Sequence, residues 1–100
     1  MKRATPVSTV LAAKQIGENL ATWRKLMGLT SQQVADRAGI SRSTVSRLEN
    51  GDHSVNMAAF LNVCRAVGLG DIAQATDPYE TDLGRARANQ QLPQRVRRVR

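Results

Sequence analysis

The tightest constraint on this chain is its glycine punctuation. Gly28, Gly39 and Gly51 each follow a stretch with helical periodicity. Glycine is favoured just past a helix end and is costly inside one, so only short helices fit between these positions. Ahead of Gly28, the residues Ile16, Leu20, Trp23 and Met27 recur at the spacing of one helical face. Thr30-Ser31-Gln32-Gln33 has the form of a capping box, with Thr30 as the cap and Gln33 reaching back. The helix it opens turns Val34, Ala35 and Ala38 inward and stops at Gly39. Ile40 follows, and Ser41 caps a third helix over about Arg42 to Asn50, with Val45 and Leu48 inward and Gly51 as its stop. Asp52 to Val55 read as a loop. Asn56 caps a fourth helix whose apolar face is Met57, Phe60, Leu61, Cys64 and Val67, ended by Gly68 and Gly70. Ile72 and Ala73 begin a short fifth helix that closes before Pro78. The expectation is an all-α domain over residues 14–76.

Composition narrows the functions open to such a domain. The chain has 100 residues, enough for one small domain. Its only aromatics are Trp23, Phe60 and Tyr79, so the core rests on aliphatic side chains. No apolar run approaches the roughly 20 residues of a membrane helix. Val7 to Ala13 is too short and too mixed for a signal peptide. One cysteine, Cys64, and one histidine, His53, exclude an internal disulfide and a His/Cys metal cluster. The acids are dispersed, the serines lie on caps, and no phosphate-cradling glycine loop is present, so no catalytic reading survives. These features predict a cytoplasmic protein with no metal, no cofactor and no membrane attachment.

The net charge of +7 favours an anionic partner, nucleic acid first. The charge is segregated along the chain. Lys2 and Arg3 lie in a leader, residues 1–13, where Val7, Val10 and Leu11 fit either an extra helix or an exchanged strand. Residues 14–70 mix seven bases with four acids. Residues 71–82 hold only acids, and residues 83–100 only arginines: Arg85, Arg87, Arg95, Arg97, Arg98 and Arg100. The segment 77–100 thus reads as an acidic joint and a flexible basic tail. It has too few apolar residues to offset its ordering entropy, and Pro93 interrupts any helix.

The tract from Thr30 to Gly51 carries the functional signal. It builds two short helices joined at a tight turn. Ala35 is small enough for close approach, Gly39 accepts positive φ, and Ile40 plugs the angle between the helices. The second helix then presents Arg42, Ser43, Ser46 and Arg47 with no acid among them. Such a helix is fit to enter the DNA major groove by its N-terminal end. Leu29-Thr30, Ala35, Gly39-Ile40-Ser41 and Leu48-Glu49-Asn50-Gly51 fall in register with one family. Over about residues 14–70 the chain resembles the helix-turn-helix of the Cro and phage-repressor type, the XRE family.

That resemblance implies a five-helix lambda-repressor-like domain that binds double-stranded DNA as a homodimer. It matches Arg42, Ser43 and Arg47 to positions that reach base edges, with Ser46 and Thr44 flanking them. Ser31 stands where many members have a phosphate-holding glutamine, a departure for which Gln32 is the substitute. Ser41 matches a cap whose hydroxyl also meets phosphate, as Thr44 does beside it. Arg24 and Glu49 match an internal salt bridge. More loosely, residues 77–98 and Ala13 to Gly17 resemble small regulators paired with HipA-type kinase toxins. This implies an autorepressing antitoxin whose C-terminal tail binds the toxin.

Plainer roles cover the other notable residues. Arg37 and Lys25 read as solvated surface, Trp23 and Met57 as core, Cys64 as inert packing and His53 as a loop residue. Two other uses of the same fold are a protein-interaction module and an activator that contacts polymerase through the acidic segment 71–82.

Overall fold

The computed structural model describes residues 3–91, and all its regular elements are helical. Met1, Lys2 and residues 92–100 lie outside the described residues, and with them Pro93, Arg95, Arg97, Arg98 and Arg100 of the expected tail. The chain divides after Gly70 into two units. The first holds α1 (Val7–Leu26), α2 (Ser31–Ala38), α3 (Arg42–Glu49) and α4 (Met57–Ala66). The second holds two 3₁₀ turns, Ile72–Thr76 and Pro78–Glu80, followed by α5 (Asp82–Gln91).

The caps follow the sequence. Thr30 Oγ1 accepts from Gln33 N–H at 3.0 Å, and Gln33 Oε1 accepts from Thr30 N–H at 2.8 Å, so the capping box is complete. Ser41 Oγ accepts from Thr44 N–H at 3.1 Å, and Asn56 Oδ1 accepts from Ala59 N–H at 2.8 Å. Each cap satisfies an amide that the first helical turn leaves without a partner. Four helices then share one aliphatic core: Leu20 from α1, Val34, Ala35 and Ala38 from α2, Val45 and Leu48 from α3, and Ala59, Val63 and Cys64 from α4, with Val67 just beyond.

Three expectations are corrected. First, α1 starts at Val7, so residues 7–13 are its opening turns rather than a separate leader. Pro6 sets the start, since its carbonyl accepts from Thr9 and Val10 N–H at 3.0 and 3.1 Å. Second, the buried lines of α1 and α4 are rotated. On α1 the inward residues are Gly17 and Leu20, while Trp23 is 40% exposed. On α4 they are Ala59, Val63 and Cys64, while Met57 is 73% exposed. Third, the fifth helix expected after Asp71 is a 3₁₀ turn, and residues 82–91 of the expected tail form α5. Thr81 Oγ1 accepts from Gly84 N–H at 2.9 Å as its cap, and Arg85 pairs with Asp82. Alanine, arginine and glutamine are good helix formers, and propensity with a cap orders this stretch where hydrophobic burial alone argues against order.

Gly17 explains the rotation of α1. A Cβ at Gly17 would lie 2.5 Å from the Leu48 carbonyl oxygen and 2.6 Å from that of Glu49. The helix therefore turns its smallest residue, not its largest, toward the end of α3. Nearby, a Cβ at Gly51 would lie 2.8 Å from Lys14 Cα. The Arg24 guanidinium fixes the same joint. Its Nε and Nη2 donate to Glu49 Oε2 and Oε1 at 2.7 and 3.1 Å, and its Nη1 donates to the Leu29 carbonyl at 3.2 Å.

Gly17→Ala separates propensity from packing. In an open helix the change stabilises by about 1 kcal/mol. Here the methyl meets backbone carbonyls that cannot swing aside, and overpacking of this kind costs about 1–3 kcal/mol. A net loss of stability is expected, read as a lower melting temperature in a thermal scan. An unchanged or raised melting temperature would contradict this packing of α1.

Candidate nucleic-acid interface

The site is built on α2, α3 and the turn between them. Val34 and Ala35 of α2 and Val45 of α3 are fully buried, so the two helices meet without a gap. Gly39 ends α2 at φ 69°, the left-handed region that a branched residue resists. Its N–H reaches the Asp36 carbonyl at 3.3 Å, and Ile40 N–H reaches the Ala35 carbonyl at 3.1 Å. This return bond aims the chain into α3, and Ile40 at the turn is half-buried.

The first turn of α3 faces solvent. Arg42 and Ser43 are exposed, as are Ser46 and Arg47 one turn on. Ser41 Oγ lies 2.8 Å from Thr44 Oγ1 and 3.1 Å from Ser43 Oγ, a cluster of three hydroxyls at the helix start. At the start of α2, Ser31 is half-buried and Gln32 exposed. Gln32 Nε2 donates to Asp36 Oδ1 at 2.9 Å. The N-terminal ends of α2 and α3 thus offer hydroxyl and amide groups, backbone N–H donors and the positive ends of two helix dipoles, all suited to an anion.

The two arginines of α3 differ in their surroundings. The Arg42 side chain has no hydrogen bond or ion pair among the described residues. Arg47 is held. Its Nε donates to Asp52 Oδ2 at 2.8 Å and its Nη2 to Ser54 Oγ at 3.1 Å. Asp52 Oδ1 in turn accepts from Ser54 Oγ–H at 2.6 Å and Ser54 N–H at 2.9 Å. These bonds, the Ser54 hydroxyl first and Arg47 next, hold the Asp52 carboxyl well below the usual carboxylate range. Sequence reasoning treated Asp52 to Val55 as a plain loop and missed this clasp. The readable signal was Asp52-His53-Ser54, an acid two residues before a hydroxyl, the pattern of a side-chain turn.

Arg24 and Glu49 lie together but away from the α3 N-terminus, with side chains only 15% and 12% exposed. Cys64 is buried, and burial pushes its thiol up, away from the reactive thiolate. Among the described residues no group of three or more His, Cys, Asp or Glu side chains could hold a metal ion. No helix among them is long and apolar enough to cross a membrane.

Comparison with known proteins agrees with this geometry. The family model described as a helix-turn-helix domain matches residues 15–78. A Sinorhizobium fredii protein described as an uncharacterized HTH-type transcriptional regulator is 31% identical over 71 residues, covering 71% of this chain and 92% of that one. A Methanothermobacter thermautotrophicus protein of the same description is 38% identical over 45 residues, covering 45% of this chain and 65% of that one. With its two packed helices, its Gly39 turn and a match over more than half its length, the chain belongs to the helix-turn-helix domain family.

Proposed function

We propose that this protein is a sequence-specific DNA-binding transcriptional regulator of the cytoplasm. It acts as a homodimer on a pseudo-palindromic operator and represses its own promoter by occlusion. The observation that carries this reading is the exposed face of α3, where Arg42, Ser43 and Ser46 stand in line with Arg47, which lies in the last turn and is paired with Asp52. Entering the major groove by its N-terminal end, α3 would read base edges with those four residues. Ser41, Thr44, Ser31 and Gln32 would hold the flanking phosphates, setting register without reading sequence. Two such units on a dimer would meet half-sites about 34 Å apart. The relatives described as HTH-type transcriptional regulators support the same assignment.

For residues 77–100 we propose contact with a kinase-type toxin, which would make the protein an antitoxin. The support is the tail's resemblance to regulators of that kind. The competing reading is a basic arm on phosphate, to which Arg85, Arg87 and the arginines beyond the described residues would contribute.

Arginine on a groove-facing helix pairs best with guanine O6 and N7. Arg42→Ala and Arg47→Ala are each expected to cost about 1–3 kcal/mol of operator affinity and to relax preference at one base pair. The measurement is a salt series of binding to the protein's own upstream DNA, with competition by single-base variants. Wild-type affinity and preference in both variants would refute the assignment. Asp52→Ala frees Arg47 and removes a nearby negative charge. It is expected to blur preference at the base pair that Arg47 reads, with no fall in the salt slope. Blurring at a different base pair would refute the orienting role of Asp52. Deleting residues 83–100 separates the two readings of the tail. A shallower salt slope marks a phosphate arm, and unchanged DNA binding with lost kinase binding marks the antitoxin.

A further inference from the structure

The arginines differ in how many of their nitrogens the fold uses. A guanidinium is a rigid planar fork of N–H donors. Nε–H and one Nη2–H point out along one edge, and the other Nη2–H points out beside an Nη1–H at the end. Either pair can meet two acceptors that lie side by side. Arg24 has all three nitrogens engaged, Nε and Nη2 with Glu49 and Nη1 with the Leu29 carbonyl, and its side chain is only 15% exposed. It is spent on the fold. Arg47 is different. Its Nε donates to Asp52 Oδ2 at 2.8 Å and its Nη2 to Ser54 Oγ at 3.1 Å, while Nη1 has no partner among the described residues. Ser54 Oγ lies 2.6 Å from Asp52 Oδ1, so its two acceptors stand together along one edge. That edge is occupied and the end of the fork stays open on a half-exposed side chain.

Ser54 does two separable things in this clasp. Its N–H donates to Asp52 Oδ1 at 2.9 Å, and this backbone bond fixes the carboxylate whatever side chain residue 54 carries. Its hydroxyl donates to the same oxygen and accepts from Arg47, which closes a ring of three side chains. With the carboxylate alone, the guanidinium would hang by its Nε and swing about that bond. The hydroxyl supplies the second point that fixes its plane. A guanine offers O6 and N7 as two adjacent acceptors, and one fork of fixed direction matches them.

We propose that Ser54 is a positioning residue for DNA reading. Its hydroxyl holds the Nε edge of Arg47 against the loop after α3, so that the Nη1–Nη2 end alone is offered to a guanine. Ser54 touches no base itself. The inference rests on the base-reading role proposed above for Arg47 and adds the residue that selects which fork is used. Arg42, with no tether, is free to use either fork.

The test uses the full chain, first without DNA. In nitrogen NMR recorded in the cold, Arg47 of the wild type is expected to show separate Nη1 and Nη2 signals, because rotation about Nε–Cζ is blocked. Arg24 is the held reference and Arg42 the free one. Ser54→Ala should merge the Arg47 signals, and Ser54→Thr, which keeps a hydroxyl, should keep them apart. Ser54 is exposed and its alanine variant retains the backbone bond to Asp52, so an unchanged circular dichroism spectrum is expected. Merged Arg47 signals in the wild type overturn the proposal.

The second measurement is binding to the protein's own upstream DNA, with base variants and 7-deazaguanine placed at the base pair that Arg47→Ala relaxes. Ser54→Ala is expected to lower discrimination at that base pair about three- to tenfold. Other base pairs and the salt slope should match wild type, and Ser54→Thr should behave as wild type. Added to Arg47→Ala, Ser54→Ala should do nothing more. Wild-type discrimination in Ser54→Ala overturns the proposal. So does an effect that persists without Arg47, or a uniform loss with a shallower salt slope, which marks a phosphate contact. If Arg47→Ala relaxes no base pair while the Arg47 signals stay separate, the base-reading role itself fails. An Arg47-dependent preference that ignores Ser54→Ala fails this inference alone.

Discussion

The fold of the first unit depends on how closely α1 approaches the end of α3. Gly17 allows the contact, since any side chain there would press into the carbonyls of Leu48 and Glu49. Arg24 then locks it with two bonds to Glu49 and one to the Leu29 carbonyl. That guanidinium joins three pieces of chain: α1, the loop into α2 and the last residue of α3. Bidentate geometry and low exposure place the pair above an ordinary surface ion pair, and truncating one partner would leave the other charge part-buried and unpaired. The result is a short helix anchored at its C-terminal end and presented at its N-terminal end. An eight-residue helix has little stability of its own. It holds a fixed direction because its tail is clamped and its Val45 and Leu48 are buried.

The helix-turn-helix was legible because its signals are local. Thr30, Gln33, Ser41 and Asn56 act on amides within three residues, and Gly39 acts on its own φ. The rotation of α1 and α4 was less legible because it is set by a partner distant in sequence. Ile16, Leu20, Trp23 and Met27 form a valid apolar face, and nothing within α1 says that Gly17, one step around, is the contact residue. The backbone of Leu48 and Glu49 decides it. Met57 misled in the same way: a large apolar side chain reads as core, yet α4 buries Ala59 and Val63 instead.

The helix at 82–91 shows the limit of counting hydrophobic residues. Only Ala88 is buried within α5, so burial alone would not order it. Close to its start the chain folds on itself, with Asp77 Oδ1 accepting from Tyr79 N–H at 2.9 Å and Thr81 capping at Gly84. A Cβ on Gly84 would collide with the carbonyl of Pro78, so this glycine also marks a close approach. In both units, glycine inside a helix signals contact with another stretch of backbone, a meaning that composition does not reveal.

Under the proposed base-reading role of Arg47, its clasp bears on specificity more than on stability. The Arg47 side chain is half exposed and Asp52 about one third, so the ion pair is solvated and its contribution to folding is small. Its effect is conformational. A free arginine gives up about 0.5–1.5 kcal/mol of rotamer freedom when an interface immobilises it, and Arg47 has surrendered part of that freedom in the folded protein. Arg42, with no tether, would lose its freedom on binding. The sign of the Asp52 shift says when the clasp holds. Because its carboxyl is depressed from an ordinary 3.8, the stabilisation is complete above that value and fades only as pH falls below it. Across the neutral range Asp52 stays ionised and Arg47 stays oriented, so base reading by this residue would be insensitive to physiological changes in pH.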